Sequence, residues 1–173
     1  MLALPLALHA GQPAQEQTEQ AEQVEGAVPV PTPMSTPAAS THVMYDAAEL
    51  EWGEAPEVFE PGAQAVILSG DPTRPGMFVL RLKAPAGFKV ANHWHPTDEH
   101  VTLLEGDLTL AMDQDAGGAH ESTFSPGAYV LLPAEMHHAA STRAGMTLQI
   151  SGMGPLELIY VDPKDDPRER SAP

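Results

Sequence analysis

The chain has 173 residues, enough for one domain with an appendage but cramped for two. Eight Lys and Arg against 24 Asp and Glu give a formal net charge of −16, which repels phosphate backbones and anionic membrane surfaces and argues against a nucleic-acid partner. With no cysteine there is no disulfide, thiolate metal site or nucleophilic thiol, so any metal must be held by nitrogen and oxygen.

In chain order, residues 1–10 read MLALPLALHA, an apolar run ending in small residues. This is the pattern of the hydrophobic part of a secretory signal with cleavage near Ala10, although no basic residue precedes it. The reading favours export, periplasmic or secreted, with a cytoplasmic location as the alternative. Spanning a bilayer would take about 20 apolar residues, more than this run supplies. Residues 11–41 are Gln, Glu, Pro, Ala, Ser and Thr with almost no large apolar side chains, and are predicted to be a disordered linker. The folded domain is expected over residues 42–173.

Within it, a short helix is predicted near Ala47–Trp52. Apolar runs then alternate with turn residues: AVILSG, GMFVLRLKAP, GFKVANHW, EHVTLLEGDLTLAMD, STFSPG, AYVLLP, MTLQISGM and PLELIYV. Gly, Pro, Asp and Ser interrupt them every few residues, which is strand spacing. Many short strands without helical crossovers predict an all-β antiparallel sandwich or barrel.

Two segments carry chemistry. The first is Gly87-FKVAN-His93-Trp-His95-PTD-Glu99-HVTLLE-Gly106. In an extended strand His93 and His95 point to one face, while Trp94 points to the other. Resumed pairing at Glu99 puts Glu99, Val101 and Leu103 on a common face, apolar but for a carboxylate that is costly unless paired or metal-bound. His100 has the opposite parity and should face away. Lys89 shares nominal parity with His93, a conflict that a bend between Ala91 and Asn92 would remove. The second segment, Gly127-AYVLL-Pro133-AEMH-His138, could bring a further imidazole. Three nitrogens and one oxygen suit Zn²⁺, Fe²⁺, Mn²⁺, Ni²⁺ or Cu²⁺. His42 and His120 sit in polar, loop-like surroundings and are read as solvated. The acids Asp162, Asp165 and Asp166 lack the spacing and glycine of a calcium loop and are read as a solvated tail. Met112, Met136, Met146 and Met153 are read as core gap fillers.

These segments resemble the two motifs of the cupin superfamily. The first, G-x5-H-x-H-x3-E-x6-G, matches at every fixed position. The second, G-x5-P-x-G-x2-H-x3-N, matches at Gly127, Pro133 and His138, and departs at Glu135, where the family has glycine, and at Thr142, where it has asparagine. The tail from Gly152 also looks like the end of small bacterial single-domain cupins. The resemblance implies a double-stranded β-helix, a jelly-roll barrel, with His93, His95, Glu99 and His138 as ligands of one divalent metal ion and His137 as the substitute for His138. It also implies a small-molecule ligand or substrate and a homodimer. The function so implied is a metal-dependent enzyme of dioxygenase or isomerase type, the alternative being a non-catalytic module that binds or senses a metal or small ligand. No separate general base is nominated, Glu135 being only a weak candidate. Metal affinity is expected to weaken below about pH 6 as imidazoles protonate.

Overall fold

The structure, a computed structural model, describes residues 42–112 and 120–170. The readings of residues 1–10 as a signal and 11–41 as a linker lie outside the described residues. Among the described residues eleven strands pair antiparallel in two sheets. The six-stranded sheet runs in the order β1 (Gly53–Glu54), β2 (Gln64–Ser69), β3 (Gly76–Ala84), β10 (Met146–Gly154), β5 (Glu99–Gly106), β8 (Tyr129–Leu132). The five-stranded sheet runs β11 (Ile159–Tyr160), β4 (Lys89–Trp94), β9 (His138–Ser141), β6 (Leu108–Met112), β7 (His120–Phe124). Strands neighbouring in space are mostly distant in sequence, the jelly-roll arrangement of a double-stranded β-helix.

The inner faces follow from alternation. In β3 Phe78, Leu80, Leu82 and Ala84 are buried, and in β5 Glu99, Val101 and Leu103 are buried while His100, Thr102 and Leu104 are less so. Opposite them stand Leu108 and Leu110 of β6 and Leu148 and Ile150 of β10, one apolar core shared by both sheets. The first motif ends on Gly106 because β5 there passes over another chain segment: its φ is 83°, and a Cβ would lie 1.8 Å from the Gly145 carbonyl oxygen.

The helix predicted at Ala47–Trp52 is a single 3-10 turn, Ala47–Glu49, capped by the Asp46 carboxylate. Trp52 lies beyond it, its ring 5.6 Å from the Lys83 ammonium. Two strands, β1 and β9, were not foreseen. Among the described residues no helix is long and apolar enough to cross a membrane.

Candidate metal centre

The strand register settles how the histidines turn inward. Along β4 and β9, Val90 pairs with Ala140 and His93 with His138, so β4 carries one residue more than β9 between these pairs. The extra residue is a bulge at Ala91 and Asn92, where the sequence required a bend. It resets the alternation, so that Val90 and His93 are both buried while Lys89 remains exposed. The carbonyl freed at Ala91 accepts a hydrogen bond from His93 Nδ1 at 2.8 Å.

The other two rings are held in the same way. His95 Nδ1 donates to the Glu157 carbonyl at 2.7 Å, and His138 Nδ1 to the Met136 carbonyl at 2.9 Å. A carbonyl can only accept, so each Nδ1 carries the proton and each Nε2 keeps a free lone pair. One ring nitrogen of each histidine lies within 4.8 Å of the other two. Glu99 joins them, its Oε2 standing 3.5 Å from His95 Nε2 and 3.9 Å from His138 Nε2. The structure thus gathers all four residues that the sequence nominated, and His138 rather than His137 completes the triad of rings.

Burial decides their charge. It pushes the His93 imidazole down to about 3, helped by the neighbouring His138, and likewise lowers His95 and His138. It pushes the Glu99 carboxyl up to about 7, opposed by His138. At neutral pH the rings are therefore uncharged acceptors facing a carboxyl, and His95 Nε2 is buried with no hydrogen-bond partner among the described residues. Lone pairs aimed at one another are unfavourable unless a cation or a proton stands between them. The 3.5 Å from His95 to Glu99 is close to the roughly 3.4 Å between donors of a tetrahedral site with bonds of about 2.1 Å. The three buried histidines could hold a metal ion, and the orphaned nitrogen fits that role.

The second motif's departures also find their place. Glu135 adopts a φ of 63°, the left-handed conformation for which glycine is best suited, so the turn keeps its path with a side chain in place of hydrogen. Its N–H donates to the His95 carbonyl at 2.8 Å, and Asp98 Oδ1 accepts from the next N–H back, Ala134, at 2.8 Å. These bonds join the turn before His138 to the turn between His95 and Glu99. The Glu135 side chain is exposed and does not line the interior cavity, which gives no support to a role as base. Thr142 is buried, and its hydroxyl bonds Asp107 at 3.3 Å and the Gly145 N–H at 3.0 Å. His100 turns outward to the Tyr129 hydroxyl, 2.7 Å away. Sequence reading missed the carbonyls of Ala91, Met136 and Glu157, because backbone groups leave no signature in residue type.

Structural comparison finds the same fold in several solved proteins. The polyketide cyclase RemF from Streptomyces resistomycificus superposes with a TM-score of 0.61 at 16% identity, over 75% of this chain and 92% of that one. An RmlC-like cupin from Shewanella frigidimarina gives 0.52 at 16% identity, over 66% and 91%. The DMSP lyase DddQ from Ruegeria pomeroyi gives 0.54 at 20% identity, over 68% and 64%. No curated protein matches the sequence. The barrel has the cupin fold, and the chain belongs to the family described as a domain of unknown function, DUF4437, whose model matches residues 32–158.

Proposed function

We propose that His93, His95, Glu99 and His138 hold one divalent transition-metal ion, and that the barrel is a metal-dependent enzyme acting on a small molecule. The observation that carries this reading is the convergence of three ring nitrogens within 4.8 Å, each ring oriented by a carbonyl, beside a buried carboxyl. A bound ion of this kind supplies Lewis-acid polarisation of an oxygen-bearing group or, with a redox-active metal, activation of dioxygen. The chain's own part is to keep three imidazoles neutral, fix their orientation and surround them with apolar walls that exclude water. The clamp on each Nδ1 removes the alternative tautomer, so no ring must turn or lose a proton for its lone pair to face inward. An ion that takes more than four ligands would keep positions open to a substrate beside these four protein donors. Among structural neighbours, RemF is a polyketide cyclase and DddQ a lyase, and these support an enzyme in this barrel. Dioxygenase or isomerase chemistry is the reaction type we favour.

The test is elemental analysis of the full chain expressed in its native host, followed by oxygen uptake and product analysis with phenols, ketones and thiols. About one metal ion per chain, lost in His138→Ala, is the expected result. Protein that carries no metal, and takes up none from Zn²⁺, Fe²⁺ or Mn²⁺, would overturn the reading. Metal binding and tight ligand binding without turnover would instead make the protein a sensing module.

A further inference from the structure

The cavity over the four residues constrains what can enter it. It measures about 640 Å³, roughly four times the 150 Å³ or so that admits benzene. Its walls are aliphatic and come from both sheets, including Leu82, Val101, Leu110, Leu132, Leu148 and Ile150. Apart from Glu99, the charged residues along it are Glu57, Glu157 and Arg168, all exposed. The Arg168 guanidinium is occupied by Asp166, with Nη2 to Oδ2 at 2.6 Å and Nε to Oδ1 at 2.9 Å. The Thr73 hydroxyl is likewise occupied, donating to Asp71 at 2.6 Å.

Among the described residues the lining therefore offers no unengaged cation for a carboxylate or phosphate, and no row of hydroxyls or amides for a sugar. Burying an unpaired hydroxyl costs about 1–3 kcal/mol, and an unpaired carboxylate several times that. Among the described residues convergent polar groups line it at one place, the histidine and glutamate cluster. Resting on the metal reading above, we infer that the substrate is a predominantly apolar molecule, uncharged in solution, whose hydroxyl or carbonyl oxygen sits at one end and meets that cluster. Phenols, naphthols and cyclic ketones belong to this class. Sugars, amino acids, dicarboxylates and phosphate esters do not.

The test uses the full-length chain loaded with redox-inert Zn²⁺, with zinc content measured on every sample, and titrates 2-naphthol, naphthalene, naphthalene-2,6-dicarboxylate and glucose. We expect 2-naphthol to bind at least tenfold more tightly than each of the other three. Equal or tighter binding of the dicarboxylate or of glucose would overturn the substrate class while leaving the metal reading intact. Equal binding of naphthalene and 2-naphthol by zinc-loaded protein would remove the contact between oxygen and cluster. Absence of zinc would fail the metal reading on that measurement alone, and discrimination against the dicarboxylate and glucose would still support the apolar cavity. Ala140 lines the cavity between Val90 and Leu110, so Ala140→Phe should weaken 2-naphthol at least tenfold with zinc content unchanged. Unaltered affinity in a folded Ala140→Phe protein would place binding elsewhere and overturn the inference. The wild-type series decides the matter where that variant does not fold.

Discussion

The substitution Glu99→Gln should make the metal-free protein more stable while impairing its metal site. Glu99 is 8% exposed, and burial raises its carboxyl from 4.5 to about 7. The folded chain thus holds this proton more tightly than the unfolded chain, and the wild type loses stability as pH rises from 4.5 through about 7. At pH 8 the buried carboxylate costs about 3 kcal/mol, a large share of the roughly 5–15 kcal/mol that holds a domain folded. Glutamine removes the charge and can turn an N–H toward His95 Nε2, 3.5 Å from Oε2 in the wild type. His93 titrates in the opposite sense, its depressed value withdrawing stability as pH falls from 6.5 toward about 3, but it does so in both proteins and drops out of their difference. Urea denaturation in the presence of a chelator, at pH 5 and pH 8, measures the effect. The variant's midpoint should lie about 1.5 M above wild type at pH 8, for a slope near 2 kcal/mol per molar, with most of that gap gone at pH 5. A variant less stable than wild type at pH 8, or a gap independent of pH, would refute the electrostatic reasoning.

The same carboxyl governs metal uptake. Burial lowers all three imidazoles and raises the Glu99 carboxyl to about 7, so Glu99 is the first of the four to take up a competing proton. Affinity in the wild type should fall about tenfold per pH unit below about 7 through Glu99, and Glu99→Gln should weaken that dependence in a competition titration. Alanine at His93, His95 or His138 should lower metal affinity at least about 100-fold, and His137→Ala by no more than a few-fold, as read by metal content after dialysis. Glu135→Gly should raise stability by about 1 kcal/mol and the melting temperature by about 3–5 °C, since left-handed backbone costs a side-chain-bearing residue about 1–2 kcal/mol and glycine returns part of that as unfolded-chain entropy. Glu135→Ala, which keeps a Cβ at the same φ, should show no such gain in a thermal melt.

The barrel was legible because its strands announce themselves twice, by apolar runs and by the Gly, Pro and Asp residues between them. What escaped did so for physical reasons. The strand β9, His138–Ser141, is His-Ala-Ala-Ser, a run with no Val, Ile, Thr, Phe, Tyr or Trp to mark it, and it forms because β4 and β6 pair with it on either side. The helix predicted over Ala47–Trp52 stops at Glu49, since no residue of the 3-10 turn is buried against the other described residues and a short helix needs such packing to persist. At the site His93, His95 and Glu99 were legible from strand alternation, and His138 rather than His137 from the resemblance to the second cupin motif. The cavity was not, because Leu, Val and Ile read the same whether they fill a core or line a hollow one.

The two strands that carry ligand candidates across the five-stranded sheet share a device. His93 is clamped by the carbonyl two residues before it, Ala91, and His138 by the carbonyl two residues before it, Met136. A regular strand does not allow this bond, because its carbonyls lie in the sheet and point to neighbouring strands while its side chains stand perpendicular. Each clamp therefore needs a local departure from strand geometry: a bulge at Ala91 and Asn92 in one case, and a turn with left-handed Glu135 directly before Met136 in the other. Both irregularities cost stability, as does the burial of Glu99, and all of them lie within a few residues of the ring nitrogens. Concentrated cost of this kind is what a site pays when its side chains are placed for a ligand rather than for the fold. It follows that straightening either clamp should loosen the ring it holds before it loosens the barrel, whose apolar cluster includes Phe78, Leu103 and Leu108.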